Sequence, residues 1–152
     1  MSPRNRASAK KAGSRFESLV AAYLAAHVDS GIERRARNGA KDRGDISGLR
    51  GILGRRLVVE CKDTTRTALA EWAREAEIER GNDDAIAGLV VHKRHGVGDP
   101  GQQWVTCTLA DLVALLTGSR PLSAEDLAAI EEDVRFERTE DARGRYTEDA
   151  DA

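Results

Sequence analysis

Residues 43–62 read RGDISGLRGILGRRLVVECK. The second half, Arg55 to Lys62, is a valine-rich apolar run that predicts a strand. The first half, 43–50, carries Ile46 and Leu49 and predicts another, and Gly51 and Gly54 bracket a turn between them. The pair reads as a hairpin. Alternation along its second strand sends Val58, Glu60 and Lys62 to one face, and Leu57, Val59 and Cys61 to the other. If the hairpin turns symmetrically about 51–54, Asp45 lies directly across from Glu60, with Cβ atoms roughly 5 Å apart. Two carboxylates that close repel unless a cation lies between them. Oxygen donors favour Mg²⁺ or Mn²⁺ over zinc. Lys62, beside them, would orient a metal-activated water or stabilise charge developing on a phosphate. The same three residues also describe an ordinary surface triad of Asp, Glu and Lys across two strands.

Outward from the hairpin, the periodicity predicts a helix over 14–28, with Phe16, Leu19, Val20, Tyr23 and Leu24 on one face. Ser14 and Glu17 stand in capping-box relation at its start. A short strand over 32–37 and a polar turn at 38–41 lead into the hairpin. After it come a helix over 66–80 carrying Leu69, Trp72, Ala73 and Ala76, and strands over 85–93 and 103–108 joined by a Gly-Pro-rich loop. A short helix over 109–117 follows, with Thr108 as N-cap and Gly118 at its end. Past Pro121, Ser123 caps a last helix over 124–137 with Leu127, Ile130 and Val134 on one side. The order predicts an α/β domain around a mixed sheet of about five strands. It divides into a basic flexible arm (1–13), a main domain (14–118), an accessory helix (119–138) and an acidic disordered tail (139–152).

The chain has 152 residues, 40% apolar and 33% charged, which suits one globular domain with a real core. No apolar run reaches membrane-spanning length, and the N-terminus lacks a signal peptide's apolar stretch. Cys61 and Cys107 are too far apart for a zinc site and read as reduced core thiols of a cytoplasmic protein. The net charge of −2 hides an asymmetry. The first 120 residues are basic and the last 32 strongly acidic. Two clusters stand out: Arg4, Arg6, Lys10, Lys11 and Arg15 with no acid among them, and Arg34, Arg35, Arg37, Lys41 and Arg43 around the single Asp42. Such clusters suit a polyanion, although either is also an ordinary solvated run. With two each of Phe, Tyr and Trp, the chain offers little platform for stacking single-stranded bases. His27, His92 and His95 are scattered. His92 alternates with core valines and reads as structural, while His95 lies in a loop with Lys93 and Arg94, suited to a phosphate. Ser47 has no nucleophile elbow around it, and neither a Walker A nor a Rossmann fingerprint is present.

Asp45 followed by Glu60-Cys61-Lys62, in this order of elements, resembles the PD-(D/E)xK nuclease superfamily, with Gly44 where a proline is usual. Within that superfamily the chain is most similar to the archaeal-type Holliday-junction resolvases and their phage-encoded relatives. The likeness rests on RNGAKDRGDI (37–46), VVECKD (58–63), the Trp72 helix and VVHKR (90–94), and spans about residues 10–117. It implies a restriction-endonuclease-like core and a Mg²⁺-dependent endonuclease (Mn²⁺ substituting) acting on four-way DNA junctions in recombination and repair. Asp45 and Glu60 would hold the metal and Lys62 would position or activate the water. Glu17 would add a third carboxylate from the first helix, a role that competes with its capping box. Glu75 is a weaker candidate, since Glu71, Glu75 and Glu79 also form an ordinary solvated row. The basic clusters would grip phosphates without reading sequence. A C2 homodimer in a bacterial or phage-infected cell would supply the two symmetric nicks. The alternatives are a general nuclease of this superfamily, restriction-like or an exonuclease, and a non-catalytic DNA-binding module of the same fold.

Overall fold

Asn5, at the head of an alanine- and lysine-rich stretch, sets where the first helix begins. Its side chain accepts the Ser8 N–H at 2.8 Å, and helix α1 runs Arg6–His27. The computed structural model describes residues 5–36 and 41–147. Ala7, Ala9, Lys10, Lys11 and Ala12 are strong helix formers, so most of the expected flexible arm is helical and Ser14 lies inside the helix. The Ser14–Glu17 capping box is thereby corrected: the cap is Asn5. Arg4 and Arg37 lie outside the described residues.

Strands β1 (Glu33–Arg34) and β2 (Ile46–Ser47) pair antiparallel. Both are far shorter than the sequence predicts. Gly44 and Gly48 flank β2 with φ of 82° and 79°, a left-handed conformation that ends a strand on either side. β3 (Leu57–Lys62) pairs parallel with β4 (Ala87–His92), and β4 antiparallel with β5 (Trp104–Thr106). The α/β class and the mixed pairing are therefore observed. A continuous five-stranded sheet is not: a two-stranded and a three-stranded sheet take its place. The hairpin survives as irregular hydrogen bonding, from Leu57 N–H to Leu49 O and from Asp45 N–H to Val59 O. A 3-10 turn at Ile52–Gly54 closes it.

Helix α2 (Leu69–Asn82) makes the crossover between β3 and β4 and packs through Trp72 and Ala76 onto Val90. It comes close because Gly88 has no side chain: a Cβ there would sit 2.7 Å from the Ala76 carbonyl oxygen. On the other side, Leu57, Val59 and Cys61 join Phe16, Val20 and Ala21 of α1 in the main core, as the strand alternation predicts. Helix α3 (Leu109–Thr117) adds Ala114 to that core and has the predicted bounds, with Thr108 capping it and Gly118 closing it at φ 74°. The result is a sheet covered by helices on both faces.

Residues 1–120 and 121–152 form separate units. In the second, Ser123 and Asp126 make reciprocal capping bonds at 3.0 Å, and helix α4 runs Ala124–Thr147. It continues well past the expected end at 137, so residues 139–147 are helical rather than a disordered tail. That stretch contains no proline and one glycine, which permits the extension. No helix among the described residues is long and apolar enough to cross a membrane.

Candidate metal and nucleic-acid site

Asp45 falls just outside β2, yet its position is tightly determined. Its backbone N–H donates to Val59 O at 2.9 Å, and its carboxylate Oδ2 accepts the Cys61 N–H at 2.9 Å. Bracketed by residues 59 and 61, it lies across from Glu60, as the hairpin reading predicts. The register nearer the turn differs by one, with Arg50 bridging Arg56. Gly44 makes the approach possible, since a Cβ there would come within 2.9 Å of the Val59 carbonyl oxygen. Asp45 and Glu60 are both buried and their carboxyl groups touch. Burial, then the charge of Glu60, pushes the Asp45 carboxyl up to about 7, against the opposing pull of the Cys61 N–H.

Lys62 leaves the same strand face as Glu60. Its Nζ donates to Glu60 Oε1 at 2.8 Å and also to Glu75 Oε2 on α2. Burial works to lower its pKa, but the hydrogen bonds and charges of Glu60 and Glu75 outweigh it and hold the ammonium above its ordinary range. Glu75 thus has a partner in Lys62 while its side chain stays 40% exposed. Glu79 is the one that leaves the expected solvated row, being only 6% exposed. Burial, then the charges of Glu60 and Asp42, drives its carboxyl up to about 9. Glu79 is the acid the sequence reading misplaced. The available signal was its spacing: Trp72, Ala76 and Glu79 fall on one buried stripe of α2.

Glu17, also buried, approaches from α1 and accepts Arg34 Nε at 2.7 Å. A cleft of about 450 Å³ opens here, walled by Lys10, Ser14, Glu17, Arg34, Glu60, Lys62 and Asp63 among others. Asp63 pairs with Lys93 at 3.2 Å. The structure therefore brings Asp45, Glu60, Lys62 and Glu17 together and adds Glu75 and Glu79. Among the described residues no three His, Cys, Asp or Glu side chains already surround one point closely enough to enclose a metal ion. The donor set nonetheless suits a hard divalent cation: it is all oxygen, its acids press on one another, and Glu79 Oε2 is buried with no hydrogen-bond partner among the described residues.

Of the basic residues, Arg6, Lys10, Lys11 and Arg15 are exposed along α1, and Lys41 and Arg43 are exposed before β2. Arg34 pairs with Glu17 while its side chain stays 41% exposed, and the less exposed Arg35 pairs with Asp83 at 3.3 Å. His92 bonds Thr106 Oγ1 at 2.9 Å and packs on Trp72, a structural role. His95 is held on Thr64 O at 2.8 Å. Comparison of the chain with protein-family models, with curated proteins and with solved structures finds no match.

Proposed function

We propose that the chain is a metal-dependent DNA endonuclease of the PD-(D/E)xK kind, with a restriction-endonuclease-like core, that hydrolyses phosphodiester bonds in four-way junctions. One observation carries the reading. The Asp45 carboxylate is seated on the β3 backbone against Glu60, while Lys62 reaches over Glu60 from the same strand. A divalent ion bound there would polarise the scissile phosphate and lower the pKa of a water. Asp45 and Glu60 would hold it, with Glu17 at the cleft wall. Lys62, its ammonium stabilised by two acids, suits a role as a fixed cation that orients a phosphate oxygen or a water, not as a base that takes a proton.

The exposed cations of α1, with Lys41 and Arg43, would meet backbone phosphates and position the duplex without reading its bases. Lys10 belongs to both the cleft and this basic face. Resolving a junction takes two symmetric nicks, and the chain holds one acidic set, so the reading includes a C2 homodimer. Exposed Leu112 and Leu116 on α3, and Leu127, Ile130 and Val134 on α4, offer apolar surface to a second copy.

The test is cleavage of synthetic four-way junctions beside linear and flapped duplexes in Mg²⁺. Preferential junction cutting is expected. Equal cutting of linear duplex would make the protein a general nuclease, and binding without cutting would make it a DNA-binding module. Light scattering with junction DNA should give two protein chains per complex; a single 16.5 kDa chain would overturn the dimer.

A further inference from the structure

Position 79 belongs to the stripe by which α2 packs on the sheet, where Trp72 and Ala76 meet apolar neighbours. An apolar side chain would serve packing there. The chain instead has a carboxylate that is 6% exposed and touches another carboxylate, Glu60. One of its oxygens, Oε2, is buried with no hydrogen-bond partner among the described residues. Burying a carboxylate in that state is costly unless something else satisfies it. One turn earlier, Glu75 leaves the same helix to hold Lys62, so α2 delivers two acids to the end of β3. Asp45 comes in from the loop before β2, anchored on Cys61 N–H.

We propose that Glu79 is a third carboxylate ligand of the divalent-cation site, supplied by α2 beside Asp45 and Glu60, with its buried Oε2 as the unused donor. The inference rests on the metal-dependent reading above and deepens it. Three carboxylates drawn from a loop, a strand and a helix give an all-oxygen set suited to Mg²⁺ or Mn²⁺, with remaining positions left for water and phosphate. They also give the buried Glu79 a structural reason to be an acid.

The test is Mn²⁺ binding to the full chain without DNA, by isothermal titration calorimetry and by the Mn²⁺-dependent rise in Tm. Wild type should bind, and both Asp45→Asn and Glu79→Gln should weaken Mn²⁺ by about 10-fold or more, the scale seen even for residues that only support a ligand. If Glu79→Gln binds as tightly as wild type while Asp45→Asn does not, the Glu79 assignment is overturned and the metal site stands. If wild type fails to bind, or all three proteins bind alike, the metal reading falls and takes this inference with it. Should Glu79→Gln fail to fold, Glu79→Asp keeps the charge and shortens the reach. A comparable loss of affinity is expected there, and wild-type affinity in that variant overturns the proposal.

Discussion

Asp111 and Glu79 are both buried acids on helices that flank the sheet, and they live in opposite surroundings. Asp111 accepts Thr108 Oγ1 at 2.6 Å, Gly88 N–H at 3.2 Å and Arg120 Nη1 at 2.6 Å. Burial would raise its pKa, but these donors outweigh it and hold the carboxyl below its ordinary range. Glu79 meets other acids, and Asp45 meets both an acid and one backbone N–H; the two are pushed up to about 9 and about 7. A fold that needs a buried acid for structure surrounds it with donors. A fold that presses several acids together raises their affinity for protons and, by the same repulsion, for a cation, a perturbation that clusters at functional sites.

Substitutions on either side of that contrast, and a pH series, can break it. The largest effect on catalysis after loss of a metal ligand is expected at Lys62. Lys62→Gln should lower junction cleavage about 10²–10³-fold with binding retained, as when one preorganised charge donor is removed. An unchanged rate would place Lys62 in a purely structural pair with Glu75.

For stability the two acids should behave oppositely. Asp111→Ala leaves Arg120 and the Gly88 N–H without their partner and should cost about 3 kcal/mol in denaturant unfolding. Glu79→Leu, measured without metal, should be neutral or stabilising, because it replaces a buried carboxyl whose Oε2 has no hydrogen-bond partner among the described residues with an apolar side chain. Equal losses would erase the distinction between them.

The pH dependence follows with its sign. Asp45 and Glu79 have pKa values raised on folding from 3.8 and 4.5, so the folded state binds their protons more tightly. Their contribution is fully present at low pH and is lost as pH rises through about 7 and about 9. The metal-free Tm should therefore fall from about pH 5 to about pH 9, and Glu79→Gln should flatten the upper part of that fall. Asp111 runs the other way, its contribution being lost as pH drops below the ordinary carboxylate range. A flat wild-type profile would contradict the acid-rich picture of the site.

The smallest effects belong to the surface of α1. Lys10→Gln and Lys11→Gln should each reduce the salt slope of DNA binding by about one while leaving the metal-free fold unchanged. An unaltered slope would mean that these side chains are only solvated.

Some of this was legible from residues alone because the signals were local. Thr108 and Gly118 mark both ends of α3, and the run from Leu57 to Lys62 announces β3 and its two faces. The start of α1 was obscured by a second, internal Ser14-x-x-Glu17 pattern that mimics a cap. β2 was overestimated because the left-handed φ of Gly44 and Gly48 depends on how the loop meets β3. Glu79 was hidden by degeneracy: Glu71, Glu75 and Glu79 fit a solvated row, and only packing shows that the last is buried and the middle one holds Lys62. The partners of Arg34 and Arg35 lie 17 and 48 residues away, beyond the reach of any local pattern.

On the proposed reading, the acids around Asp45 serve chemistry and those around Asp111 serve structure. The most direct test is Mg²⁺-dependent cleavage of a four-way junction by wild type, Asp45→Asn and Asp111→Asn, at a temperature where all three are folded and bind the junction. Cutting is expected from wild type and Asp111→Asn and none from Asp45→Asn. Undiminished cutting by Asp45→Asn, or no cutting by the wild type while it binds the junction in Mg²⁺ or Mn²⁺, would overturn the proposed reading.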